Sequence, residues 1–121
     1  MIPEIFTILS NTPAVTAILG VSPVRVFPWG EAPQEVQYPY ATYGVYSGSP
    51  ENSMDRVPEL DRLGTQVDVW AKTGDDCIQA AKAIRDAIEP TNHMTSISNM
   101  ERDRETKSYR IRMDFDMYTF R

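Results

Sequence analysis

Residues 109–117 read Tyr-Arg-Ile-Arg-Met-Asp-Phe-Asp-Met, and this segment constrains the fold more than any other. Apolar side chains at Tyr109, Ile111, Met113, Phe115 and Met117 alternate with Arg110, Arg112, Asp114 and Asp116. Side chains on a strand point alternately to opposite faces, so the segment predicts a long strand with one buried face. The other face carries two cations and then two anions. Such a strand is a platform for a sheet, or for a neighbour that adds to its edge, and is seldom where a catalytic site is built.

The rest of the chain supplies partners for that strand. Val24–Phe27 reads as a short strand. The β-branched and tyrosine-rich run Pro39–Ser47 and the alternating run Thr65–Ala71 read as two longer ones. In the last of these Thr65, Val67, Val69 and Ala71 share a face. His93–Met100 is a weaker strand, with Met94, Ser96 or Ile97, and Met100 as candidates for burial, and Glu101–Lys107 is a charged hairpin turn. Two helical regions accompany the strands. Pro3–Leu19 is helical with a break at Asn11-Thr-Pro, where Thr12 can cap and Pro13 fits the first helical position. Gly20 closes it. Thr73–Glu89 opens with two aspartates and stops before Pro90. Its apolar stripe is Cys77, Ile78, Ala81, Ile84, Ala87 and Ile88. Hairpin-length links predict an α+β fold, a mainly antiparallel sheet with two helices packed on one face.

One long stretch, 48–62, has no periodicity and joins two strands that could otherwise turn tightly. A connection of this length inside a compact domain is usually functional or disordered. It is expected to form a long β-hairpin arm, free in solvent or ordered against another subunit. At 121 residues the whole chain, 1–121, is expected to be a single domain including that arm.

Composition narrows the function classes. A net charge of −5 speaks against wrapping nucleic acid through phosphate contacts, which need clustered Lys and Arg. It leaves open a protein that lets DNA pass without gripping it. One cysteine, Cys77, permits no intrachain disulfide and no cysteine metal cage, and suits a reducing cytoplasm. One histidine, His93, has no evident base or nucleophile partner. No Gly-x-Ser-x-Gly elbow or phosphate-binding glycine loop is present. Asp114 with Asp116 could share a divalent cation, but a solvated strand face explains them more simply. Asp75 and Asp76 are explained by the helix dipole. No catalytic residue, cofactor or metal site is expected. No signal peptide or membrane-spanning run is expected either. Trp29, in the turn-rich loop Pro28–Pro33, is either tucked over a core edge or presented to a partner, with the tucked form favoured.

Several segments taken in order resemble the phage tail-completion family, related to the tail terminators of long-tailed phages. They are Asn11–Gly20, Arg25–Pro33, Tyr38–Tyr43, Gly48–Asn52, Gln66–Trp70 and Tyr109–Phe115. No single motif among them is diagnostic; their order and spacing carry the resemblance. It implies a structural virion protein in a ring, typically a hexamer, at the head-proximal end of the tail, assembled in the host cytoplasm. Such a ring stops tube polymerisation and joins the tail to the head. Its partners would be copies of itself, the tail tube protein and a head connector or stopper protein, with DNA passing through the lumen. The expected contact residues are Trp29, the arm residues Pro50, Glu51, Asn52, Met54, Asp55, Arg56, Glu59 and Asp61, and the charges Arg110, Arg112, Asp114 and Asp116. Two readings compete. One is a small-ligand module with a pocket lined by Tyr40, Tyr43 and Trp70. The other is another virion part on the same fold, a head–tail adaptor or the tube protein.

Overall fold

The computed structural model describes residues 4–53 and 56–120, with the side chains of 49–53, 56–60 and 120 outside that description. Two short helices come first, α1 (Ile5–Ser10) and α2 (Pro13–Leu19), then strands β1 (Val26–Pro28), β2 (Tyr40–Ser53) and β3 (Arg56–Ala71). Helix α3 (Gly74–Ile88) precedes β4 (His93–Ile97), β5 (Glu101–Arg102) and β6 (Tyr109–Phe120). The strands form one six-stranded sheet in the order β1-β2-β3-β6-β4, with β5 also on β6. All pairings are antiparallel except β1 with β2.

The alternation on β6 is realised: Ile111, Met113, Phe115 and Met117 are buried, and so are Leu63, Thr65, Val67, Val69 and Ala71 on β3. These two rows lie beside each other, Val67 opposite Met113 and Thr65 opposite Phe115. Apolar residues of all three helices join β3 and β6 in one core cluster: Ile5 and Leu9, Val15 and Leu19, and Cys77, Ala80, Ala81, Ile84 and Ile88. Burying each large apolar side chain contributes about 1.5–3 kcal/mol, so this cluster dominates the stability.

The helix boundaries follow from local chemistry, with differences from expectation. Thr73 caps α3, its hydroxyl accepting from the Asp76 N–H at 3.2 Å. Thr12 does not cap α2; its hydroxyl donates back to the Ile8 carbonyl at 2.7 Å, fastening α1 to the break. Ile78 is 53% exposed while Ala80 is buried, because the core-facing line on α3 runs 77, 80, 81, 84, 88 and position 78 lies about 100° away from 77. On β4 only Met94 packs against the core; Ile97 is exposed, and so is Met100 beyond the end of the strand. Gly20 adopts φ +87°, and a Cβ there would meet Arg25 Nη1 at 2.7 Å. That close approach lets Arg25 donate to the Ile18 carbonyl at 3.0 Å and the Pro39 carbonyl at 2.9 Å, tying α2 to the start of β2.

The stretch without periodicity is strand throughout its described length. Gly48, Ser49, Pro50 and Glu51 pair with Leu63, Arg62, Asp61 and Leu60, and Ser53 pairs with Arg56. A proline fits inside β2 for a definable reason. Ala41 donates to, and Tyr43 accepts from, the β1 side of the strand. The register shift between Val45 and Ser47 reverses that alternation, so the Pro50 nitrogen points away from β3 and no ladder bond is lost. β6 runs alongside the base of the hairpin, Asp61 opposite Thr119 and Leu63 opposite Met117.

Candidate interaction surface

The charged face of β6 is answered row by row across the sheet. In the first row Tyr40, Trp70, Arg110 and Glu101 are successive cross-strand neighbours. Tyr40 stacks on Trp70 at 6.1 Å and 10°, and the Arg110 guanidinium lies 5.5 Å from the Trp70 ring while bonding Glu101 at 2.8 Å. In the second row Thr42, Asp68 and Arg112 align, and Arg112 Nε donates to Asp68 Oδ1 at 3.1 Å. Gln66 Nε2 also donates to Asp68, at 3.2 Å to Oδ2. In the third row Asp114 Oδ2 accepts from the Ser96 hydroxyl at 2.7 Å. Asp116 lies opposite both Gly64 and His93. Arg110, Arg112 and Asp114 are therefore engaged inside the chain, where the sequence alone suggests edges offered to a neighbour.

Burial pushes the Tyr40 phenol up to about 12, with Tyr38 beside it adding to the effect, so Tyr40 is neutral at ordinary pH. Tyr43 is also raised, by burial and then by Glu31. Tyr43 packs against the core whereas Tyr40 and Trp70 stack on the opposite face. The three aromatics do not line a common pocket. Cys77 is fully buried, and burial pushes its thiol up to about 11, against a lowering backbone hydrogen bond from Ile111. His93 is exposed on β4. Among the described residues no group of three or more His, Cys, Asp or Glu is placed to hold a metal ion. No described helix is long and apolar enough to cross a membrane.

Trp29 is tucked and still 43% exposed. Its backbone N–H donates to the Tyr43 carbonyl at 2.9 Å, and its ring lies over Gly44. The backbone places Pro50, Glu51, Asn52, Arg56 and Glu59 on the two strands of the hairpin. Met54 and Asp55 lie outside the described residues. Asp61 is buried at the hairpin base. Its Oδ2 and the Oγ1 of its cross-strand neighbour Thr119 are both buried without a hydrogen-bond partner.

A family model described as "Tail completion protein gp17" matches residues 3–119. The chain belongs to the tail completion protein gp17 family. Membership makes it a structural tail protein of a virion. The fold agrees: a chain in a solved structure titled "Virion of native gene transfer agent (GTA) particle" is similar to this one at a TM-score of 0.66 and 14% identity, covering 97% of this chain and 92% of that one. No curated protein matches the sequence.

Two features of this surface were within reach of the sequence. Gly44 and Gly64 interrupt β-rich runs, and a glycine inside a strand marks a close approach. Rings lie over both, Trp29 on Gly44 and Tyr46 on Gly64. The carboxylate partners of the arginines had no such signal, because Asp68 and Arg112 are 44 positions apart and meet only through the register.

Proposed function

We propose that this protein closes the head-proximal end of the tail tube as a ring of identical subunits, stops tube growth and offers the surface to which the head joins. The observation that carries the reading is the family match over residues 3–119. The hairpin supports it. β2 and β3 run past the end of β1, which covers only Ala41, Thr42 and Tyr43 of β2. A subunit in a cyclic ring must present two different surfaces to its two neighbours, and a hairpin reaching out from one side of a sheet is suited to that. The net charge of −5 supports a lumen through which DNA phosphates slide. In this reading the whole chain acts as one domain, the hairpin residues, Trp29 and Asp116 contact neighbours, and Arg110, Arg112 and Asp114 of β6 hold the sheet that carries them. The protein has no catalytic role.

Light scattering on the purified protein across a wide concentration range, alone and with the cognate tube protein, tests this. A single closed oligomer, formed alone or on the tube, is the expected result. A monomer at every concentration with tube protein present contradicts the ring.

A further inference from the structure

The sheet has an open edge on each side. β1 covers β2 only as far as Tyr43, whose carbonyl accepts from the Trp29 N–H, and no described strand lies outside β2 from Gly44 on. On the far side β4 pairs with β6 alone, and its other edge is open. Unpaired N–H and C=O groups recruit strands, so natural edges are commonly guarded by charged side chains. These two are not. Residues 44–50 and 92–100 contain no Asp, Glu, Lys or Arg, in a chain of which such residues make up 24%. Both edges instead carry exposed apolar side chains, Val45 at 40% and Ile97 at 48%.

The register fixes which backbone groups each edge offers. On β2 the Tyr43 carbonyl points outward, so Val45 does too, and beyond the shift at Tyr46 the outward positions are Gly48 and Pro50. On β4 the Ser98 N–H donates to the Arg112 carbonyl, so Ile97 points outward, and beyond the shift at Thr95 the next outward position is Met94. Val45 and Gly48 lie opposite Thr65 and Leu63, and Ile97 and Met94 lie opposite Met113 and Phe115. Those four partners are buried, which puts all four edge residues on the helix-covered face. A regular strand repeats such positions every two residues. Here one bulge on each strand sets them three residues apart, 45 and 48 on β2, 94 and 97 on β4. Three antiparallel pairings separate β2 from β4, so the two strands run in opposite senses. Helix α3 adds an apolar wall beside β4: a Cβ on Gly74 would lie 3.0 Å from Met100 Cε, and the exposed Ile78 follows one turn along the same flank.

We infer that β2 of one copy adds to β4 of the next, residues 45–49 lying antiparallel to 93–97, so that one sheet runs from subunit to subunit. The inference rests on the proposed ring and names the contact that builds it. Val45 exchanges both backbone hydrogen bonds with Ile97 of the next copy, and Gly48 does so with Met94, while the two bulges face each other. A partner strand without a bulge would fall out of step after the first of these pairs. Val45 then covers Ile97 beside Ile78 and Met100. The open stretch is bounded at one end by the Trp29 bond to Tyr43 and at the other by Pro50, which has no N–H to offer, and the five residues of β4 fill it. Pairing β2 with β2 of a second copy would stop at a dimer and leave the apolar edge of β4 bare. Pairing β2 with β4 uses both edges of every copy and closes in a ring.

The test is disulfide cross-linking of the full chain, in a Cys77→Ala background, after assembly with the cognate tube protein. Within one chain positions 45 and 97 are three strand spacings apart, about 14 Å, too far for a disulfide, so any bond between them joins two copies. The variant carrying both Val45→Cys and Ile97→Cys should give, on oxidation, a ladder of covalent multimers that ends at the ring size. Val45→Cys protein mixed with Ile97→Cys protein should stop at dimers, and Val45→Cys combined with His93→Cys should stay unlinked. Ile97→Lys, which places a charge on the open edge, should keep the parent's thermal midpoint and lose the oligomer. A closed oligomer that forms without the 45–97 bond, or that links 45 to 93 as readily, overturns this contact and leaves the ring standing. The absence of any oligomer, alone or with tube protein, overturns both.

Discussion

The ring of Trp29 occupies the space that a side chain at position 44 would need: a Cβ on Gly44 would lie 2.1 Å from Trp29 Cδ2. With the Trp29 N–H bond to the Tyr43 carbonyl, this contact fastens the loop after β1 onto the outer face of β2 and holds a half-exposed indole at a fixed place on the surface. Gly44→Ala is expected to push the ring outward, red-shift the Trp29 emission and cost about 1–3 kcal/mol. Fluorescence and urea denaturation of the variant measure both effects. An unchanged emission maximum would mean that the ring is not held there.

Asp68 is buried and is partnered by Arg112 and Gln66. Removing the arginine leaves a carboxylate with one neutral donor. Arg112→Ala should therefore destabilise by about 1–3 kcal/mol, more than Lys82→Ala, which breaks only an exposed pair on α3. The double variant Asp68→Asn, Arg112→Ala should recover part of the loss. Equal denaturation midpoints for the two single variants would contradict the buried-partner argument.

Lys107 has φ +57°, a left-handed conformation that costs a side-chain-bearing residue about 1–2 kcal/mol. Lys107→Gly should accordingly raise the thermal midpoint. A lowered midpoint would show that the lysine side chain stabilises the turn by more than its backbone costs.

Two buried groups set an alkaline limit. The folded thiol of Cys77 sits at about 11 and the folded phenol of Tyr40 at about 12, both above their ordinary values of 9.0 and 10.0. The folded state favours the protonated forms, so their contribution is complete below pH 9 and is lost as pH rises through 11 and 12. Stability measured against pH should fall across that window. Cys77→Ala should remove the lower part of the fall while leaving the upper part, and a parent curve flat to the top of the window would contradict both shifts.

Much of this fold was legible in the sequence, and the reasons for success and failure are physical. The alternation at 109–117 and at 65–71 reports burial directly, and Ile111, Met113, Phe115, Val67 and Val69 are all in the core. The hairpin over 48–62 was expected from the length of the connection, but the register that pairs its two strands was not legible. Backbone partners and register fix that pairing, and a side-chain pattern carries no trace of it. Pro50, which argues against a strand when read locally, is accommodated because the shift at Tyr46 turns its nitrogen away from β3. The charge order on β6 was visible, but its answer lies on β3 and β5, in Asp68 and Glu101.

The hairpin can be shortened without touching the core. Residues 51–58 lie beyond the Pro50–Asp61 pair, and β6 pairs with β3 only from Leu60 onward. Replacing 51–58 by a short glycine turn should leave the thermal midpoint nearly unchanged and abolish assembly. A shortened protein that still assembles would separate the hairpin from ring formation.

The most direct measurement is the length distribution of tail tubes by electron microscopy, with the cognate tube protein expressed alone, with this chain, and with the shortened-hairpin variant. The proposed function predicts tubes of unlimited length in the first and third cases, and short tubes capped at one end by a ring in the second. The same length distribution in all three, with no cap, would contradict it.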